Sequence, residues 1–124
     1  MRGDRDRPSS VSNEEVDELG VREIKSEKEF EDMKMNELFL VDFSAPWCAP
    51  CRLQEPILGQ LAAQFEGKAL VGAVKIDESR DVASNTGIQS IPTLILYKNG
   101  KEVERFVGLQ SKGTLSGALE KLLK

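Results

Sequence analysis

The chain contains no histidine. That one absence removes Ser-His and Cys-His nucleophilic pairs, imidazole metal ligands and imidazole proton shuttles. Sulfur is scarce: 124 residues include two cysteines, Cys48 and Cys51, beside the one tryptophan, Trp47. No apolar run approaches the ~20 residues that span a bilayer, so no membrane partner is expected. There is no excess of basic residues either. The net charge is −4, with Lys/Arg and Asp/Glu interspersed, and nothing in it motivates nucleic-acid binding. The opening "MRGDRDRPSS" has no apolar h-region behind its basic residues, and its aspartates argue against a transit peptide. The chain therefore reads as cytoplasmic, a compartment that keeps thiols reduced. A Gly-rich dinucleotide fingerprint is also missing, so a redox reaction here would need a separate electron donor.

What is present is the composition of one ordinary domain, 40% apolar and 31% charged, long enough to bury a core without cross-links. Residues 1–20 differ from the rest. They are polar and charged, and read as a flexible extension with at most a short helix near Asn13–Leu19. Arg2–Asp4 spells an adhesion tripeptide by letters only. Residues 21–124 carry the domain.

Strand and helix signals alternate along that domain. Val21–Ile24 is a short strand. Ser26 and Glu29 form a capping box ahead of Phe30 and Met33. "LFLVDF", Leu38–Phe43, is an apolar run of the kind buried on both faces of a sheet. Leu53, Ile57, Leu61 and Phe65 recur every four residues and read as one face of a helix ending near Gly67, which Pro56 should kink. Ala69–Ile76 is a further buried strand, and Ser79–Thr86 a short helix stopped by Gly87. Thr93–Tyr97 and Glu102–Val107 flank Asn99-Gly100, a pair suited to the positive φ angles of a type I′ hairpin turn. Leu115, Leu119, Leu122 and Leu123 mark a last helix capped by Ser111. The order β-α-β-α-β-α-β-β-α predicts an α/β fold: a mixed sheet of about five strands with about four helices on its two faces.

The cysteines sit where the buried strand gives way to the helix. Unpaired N–H groups at a helix N-terminus stabilise a thiolate, so Cys48 is placed to be a nucleophile. Cys51 lies one turn inside on the same face, within reach of Cys48 and less accessible, as a resolving thiol would be. Cys48 would attack a substrate disulfide, and Cys51 would resolve the mixed disulfide. Pro50 suits a first helical turn, where no N–H is needed. Two other readings of the pair remain. One is a structural disulfide, whose small loop constrains the unfolded chain little. The other is half of an intermolecular zinc or iron–sulfur site, since two thiolates without histidine supply half a ligand set. Asp42 interrupts "LFLVDF". It is either a strand-end aspartate facing solvent or a buried proton acceptor for Cys51, its pKa raised by desolvation.

"WCAPC", preceded by "VDF" and followed by "SIPTLILYKNG" and "FVGL", resembles the thioredoxin family over roughly Val21–Lys124. The resemblance implies the thioredoxin fold and reduction of protein disulfides. It makes Cys48 the attacking thiol, Cys51 the resolving thiol and Asp42 the proton acceptor. It implies a cis bond at Ile91–Pro92, packed against the cysteines, whose free backbone edge would pair with an extended client segment. The client-binding surface it implies comprises Trp47, Ala49, Pro50, Ser90, Ile91, Pro92, Val107, Gly108 and Leu109. The implied partners are a thioredoxin reductase and disulfide-containing client proteins. The implied state is a monomer with no bound cofactor or metal, only the Cys48–Cys51 redox pair. Three positions depart from the family's usual residues. Ala49 replaces a frequent glycine and Ser44 a frequent aromatic. Ala73 stands where many members have a lysine, with Lys75 two residues on along the same strand face. An oxidase or isomerase running the pair the other way, and a binding module with incidental cysteines, are the competing functional readings.

Overall fold

A computed structural model describes residues 20–124. The extension assigned to residues 1–20, the helix near Asn13–Leu19 and the Arg2–Asp4 tripeptide lie outside the described residues, Gly20 apart. The elements are β1 (Arg22–Ile24), α1 (Glu27–Lys34), β2 (Leu38–Ser44), α2 (Ala49–Gln64), β3 (Leu70–Lys75), α3 (Arg80–Thr86), β4 (Thr93–Lys98), β5 (Lys101–Val107) and α4 (Lys112–Leu123). The order is the one expected from the alternation of sequence signals.

The five strands form one sheet in the order β1-β3-β2-β4-β5. β1 and β2 run parallel to β3, while β4 is antiparallel to both β2 and β5. All seven residues of β2 are buried, because helices cover the sheet on both sides. Side-chain alternation divides the core in two. Leu38 and Leu40 pack with Leu58 and Leu61 of α2 and with Leu115 and Leu119 of α4. Phe39, Val41 and Phe43 point the other way, towards Phe30 and Met33 of α1 and Val82 of α3. Edge-on contacts from Phe30 to Phe39, Phe43 and Tyr97 fill that second layer.

Turns and caps follow local chemistry. Asn99 and Gly100 both have positive φ, 53° and 87°, so the two-residue hairpin closes as the Asn-Gly pair requires. In β5, Glu104 pairs with Leu96 and Glu102 with Tyr97, leaving Val103 as a bulge residue. Ser26 Oγ accepts from Glu29 N–H at 3.1 Å. The Glu29 carboxylate reaches back to Lys25 N–H at 2.7 Å, one residue ahead of the usual partner in a capping box. Ser79, the N-cap of α3, caps no N–H with its side chain. Its hydroxyl donates instead to the Ile24 carbonyl at 3.4 Å.

The α2 pattern needs a correction. Leu53 is 62% exposed, whereas Leu58 and Gln54 are buried with Leu61. A period of four overshoots the helical 3.6, so the stripe drifts around the helix and Leu53 leaves the face that Leu61 and Phe65 occupy. Pro56 removes the N–H that would bond the carbonyl four residues back. The helix nonetheless runs continuously from Ala49 to Gln64. In α4, Leu123 is likewise exposed at the helix end while Leu115 and Leu119 are buried.

Candidate functional site

β2 delivers the chain to a short connection, Ala45–Trp47, and α2 begins immediately after it. Cys48 is the N-cap of α2, in an extended conformation, and its Sγ accepts from Cys51 N–H at 3.3 Å. A sulfur thus occupies the place of the usual capping oxygen. Pro50 lies in the first turn, where its missing N–H costs nothing. Cys48 and Cys51 are joined as a disulfide with their Cα atoms 5.2 Å apart. Cys48 is 6% exposed and Cys51 1%, so the order of accessibility is the one expected from one turn of helix, although both residues are buried. Ala45, Ile76 and Ile91 pack around the pair.

The remaining candidate residues gather at this end of the sheet. The Ile91–Pro92 bond is cis, and Ile91 reaches the cysteine cluster. Ser90 is exposed, and its carbonyl accepts from Thr93 Oγ1 at 2.6 Å. Gly108 N–H donates to the Pro92 carbonyl at 2.8 Å, which brings the end of β5 beside the proline. Val107 and Leu109 are exposed apolar side chains on either side of Gly108, whose φ of 95° favours glycine. Ala49 and Pro50 are exposed on the first turn of α2. Trp47 is 66% exposed, and its indole N–H donates to Asp77 Oδ2 at 2.8 Å. That bond holds the ring at the rim and out of the core.

Asp42 is not at the surface. It is 1% exposed and lies in β2 opposite Ala73. By strand alternation it shares the face of Leu38 and Leu40, the face covered by the helix that carries Cys51. Its Oδ1 has no hydrogen-bond partner. Burial is the main cause that pushes its pKa up to about 7; the Glu55 charge adds to the rise and Lys75 opposes it. Lys75 also lies 3.7 Å from Glu23, so its charge is shared between two carboxylates.

A family model described as Thioredoxin matches residues 21–121. The chain belongs to the thioredoxin family. Thioredoxin 1 of a Nostoc species is 52% identical over 84 residues, covering 68% of this chain and 78% of the relative. The thioredoxin of a Synechocystis species is 47% identical over 94 residues, 75% of this chain and 88% of the relative. Among solved structures, a mutant thioredoxin from Halobacterium salinarum superposes with a TM-score of 0.78 at 35% identity, over 82% of this chain and 89% of that one. Family, fold and a bonded Cys48–Cys51 pair together make this thioredoxin-family chain a dithiol–disulfide oxidoreductase and a protein-disulfide reductase. Among the described residues no group of three or more His, Cys, Asp or Glu side chains is arranged to hold a metal ion. No described helix is long and apolar enough to cross a membrane.

Several residues around this thioredoxin site escaped the sequence reading. Asp77 is 30 positions from Trp47, and no spacing rule links them. Arg52, exposed on α2, donates to the Pro46 carbonyl at 2.9 Å and braces the loop before Cys48. Gln54 lies off the stripe drawn by Leu53, Ile57, Leu61 and Phe65. Its signal is a lone polar side chain one turn beyond Cys51 on the buried face.

Proposed function

We propose that the pair works in the reducing direction in the cytoplasm, with Cys48 attacking and Cys51 resolving. The Cys48 thiolate attacks one sulfur of a client disulfide. That S–S bond breaks, one client thiolate leaves and is protonated by solvent, and a Cys48–client disulfide forms. Asp42 then takes the Cys51 thiol proton, directly or through a water. Cys51 Sγ attacks Cys48 Sγ, the Cys48–client bond breaks, and the second client thiolate departs with the proton held by Asp42, directly or through the same water. Two electrons have passed to the client, and the protein is left with the Cys48–Cys51 disulfide. A separate thioredoxin reductase returns two electrons and two protons, so the protein is an electron carrier whose redox pair needs no bound cofactor. Trp47, Ala49, Pro50, Ser90, Ile91, Pro92, Val107, Gly108 and Leu109 receive the client as an extended segment beside the cis-proline backbone. The protein acts as a monomer.

One observation carries this reading: a backbone N–H of the first turn of α2 is directed at Cys48 Sγ. That donor, with the positive end of the helix behind it, stabilises the negative sulfur that attack requires. Replacing each cysteine tests it. Cys48→Ser should abolish reduction of a disulfide-bonded protein such as insulin. Cys51→Ser should accumulate a covalent mixed disulfide with it, detectable by mass. Full activity in both variants would refute the proposed roles.

A further inference from the structure

Gln54 is 0% exposed, and its carboxamide is spent on the backbone of a single distant residue. Its Nε2 donates to the Gln110 carbonyl at 3.0 Å, and its Oε1 accepts from Gln110 N–H at 2.8 Å. The side chain therefore does what a neighbouring strand would do, offering one donor and one acceptor to one peptide residue. Gln110 in turn folds back along the loop after β5, its Nε2 donating to the Gly108 carbonyl at 3.1 Å. Gly108 N–H continues the series to the Pro92 carbonyl at 2.8 Å. A chain of hydrogen bonds thus runs from α2, one turn beyond Cys51, through the Val107–Gln110 loop to the cis-proline.

We infer that Gln54 is a positioning residue for client docking: it fixes the Val107–Leu109 wall relative to the helix that carries both cysteines. This inference rests on the client-docking reading given above. The loop needs such an anchor. Val107 and Leu109 are exposed and tie it to the core through little apolar contact, and Gly108 has no side chain to pack. A buried amide with both ends satisfied holds its partner in one place, because parting would leave polar groups unpaired. Leucine fills a similar volume but matches neither group of Gln110. With Gln54→Leu the loop must shift towards water to satisfy them, and the wall moves away from the disulfide.

The test uses the full chain and two substrates. Insulin requires the docking wall; hydroxyethyl disulfide is too small to engage it. Gln54→Leu should raise KM for insulin about fivefold, the loss expected for one net hydrogen bond. It should leave kcat, the rate with hydroxyethyl disulfide and the Cys48/Cys51 reduction potential unchanged. An unchanged insulin KM would overturn the inference, and so would equal losses on both substrates, which mark general damage. The wild-type protein gives an independent reading by amide exchange. Gln110 N–H should be protected although it lies in a loop, and free exchange there would overturn the inference even if the variant does not fold. A wild-type protein inert towards insulin but active on the small disulfide would overturn the docking reading itself and this inference with it.

Discussion

Lys75 lies on β3 opposite Ser44, two residues beyond the Asp42–Ala73 pair on the same face of the sheet, and its ammonium is 3.7 Å from Glu23 on β1. Asp42 therefore has a cation nearby whose charge another carboxylate already holds in part. Burial and Glu55 outweigh it, and the Asp42 pKa stands near 7. A carboxyl poised there accepts a proton at neutral pH and releases it again, which suits Asp42 to its proposed part as proton acceptor for Cys51.

Removing that acceptor should slow turnover. Asp42→Asn is expected to reduce client disulfides more slowly than the wild type. It should also lose the rise in rate that accompanies deprotonation of Asp42 around pH 7. Initial rates with insulin across about pH 6 to 9 check this, and superimposable profiles for the two proteins would remove the proton-transfer role.

The same substitution should stabilise the fold at alkaline pH. The folded pKa of Asp42, about 7, lies above its ordinary 3.8. The protonated carboxyl is thus favoured in the fold, and its contribution is complete below about pH 3.8 and lost as pH rises through about 7. At higher pH the wild type carries a buried charge that costs on the order of 4 kcal/mol; asparagine does not ionise. Urea unfolding at about pH 5 and pH 8.5 should show the stability gain of Asp42→Asn growing with pH. A gain that shrinks with pH would contradict the assignment.

The charges around Asp42 can be dissected separately. Lys75→Met should move the Asp42 titration further up, because a lowering influence is lost. Glu55→Gln should move it down. Carboxyl NMR shifts followed against pH report both directions, and movement of the same sign in the two variants would show that these side chains do not act through charge.

Gly72 offers a test of the core away from the cysteines. A Cβ built there would meet Ile24 Cδ1 at 2.9 Å, Phe39 Cε1 at 3.0 Å and the Arg22 carbonyl at 3.3 Å. Ile24 and Phe39 are both fully buried and the Arg22 carbonyl belongs to a paired strand, so none of the three can give way without disturbing the core. Gly72→Ala should therefore cost about 1–3 kcal/mol, as overpacking does, and lower the urea midpoint. An unchanged midpoint would mean that β1 and β3 are less tightly apposed.

The features legible in the sequence were those set by local chemistry. Asn99-Gly100 announced its turn through two residues that tolerate positive φ. "LFLVDF" announced a strand with no polar face, whereas the aspartate inside it reads equally as a solvent-facing strand end or a buried carboxyl until the fold places it at 1% exposure. The cysteine pair could be placed at a strand–helix junction by pattern alone. Contacts between distant segments were not legible. Nothing in the spacing joins Trp47 to Asp77, Lys75 to Glu23 or Gln54 to Gln110, because each pair meets only after the sheet has ordered. The cis bond at Ile91–Pro92 came from family resemblance, since most bonds before proline are trans. Leu53 misled because its spacing is close to the helical period without matching it.

Electrons are proposed to flow from Cys48 and Cys51 to client disulfides. The reduction potential of that pair, measured by equilibration against dithiol buffers of known poise, decides the direction. A reducing pair has a value clearly below about −240 mV, within or beneath the range of cytosolic glutathione. A value near the roughly −180 to −120 mV of isomerases and oxidants would contradict the proposal, since the pair would then give disulfides away.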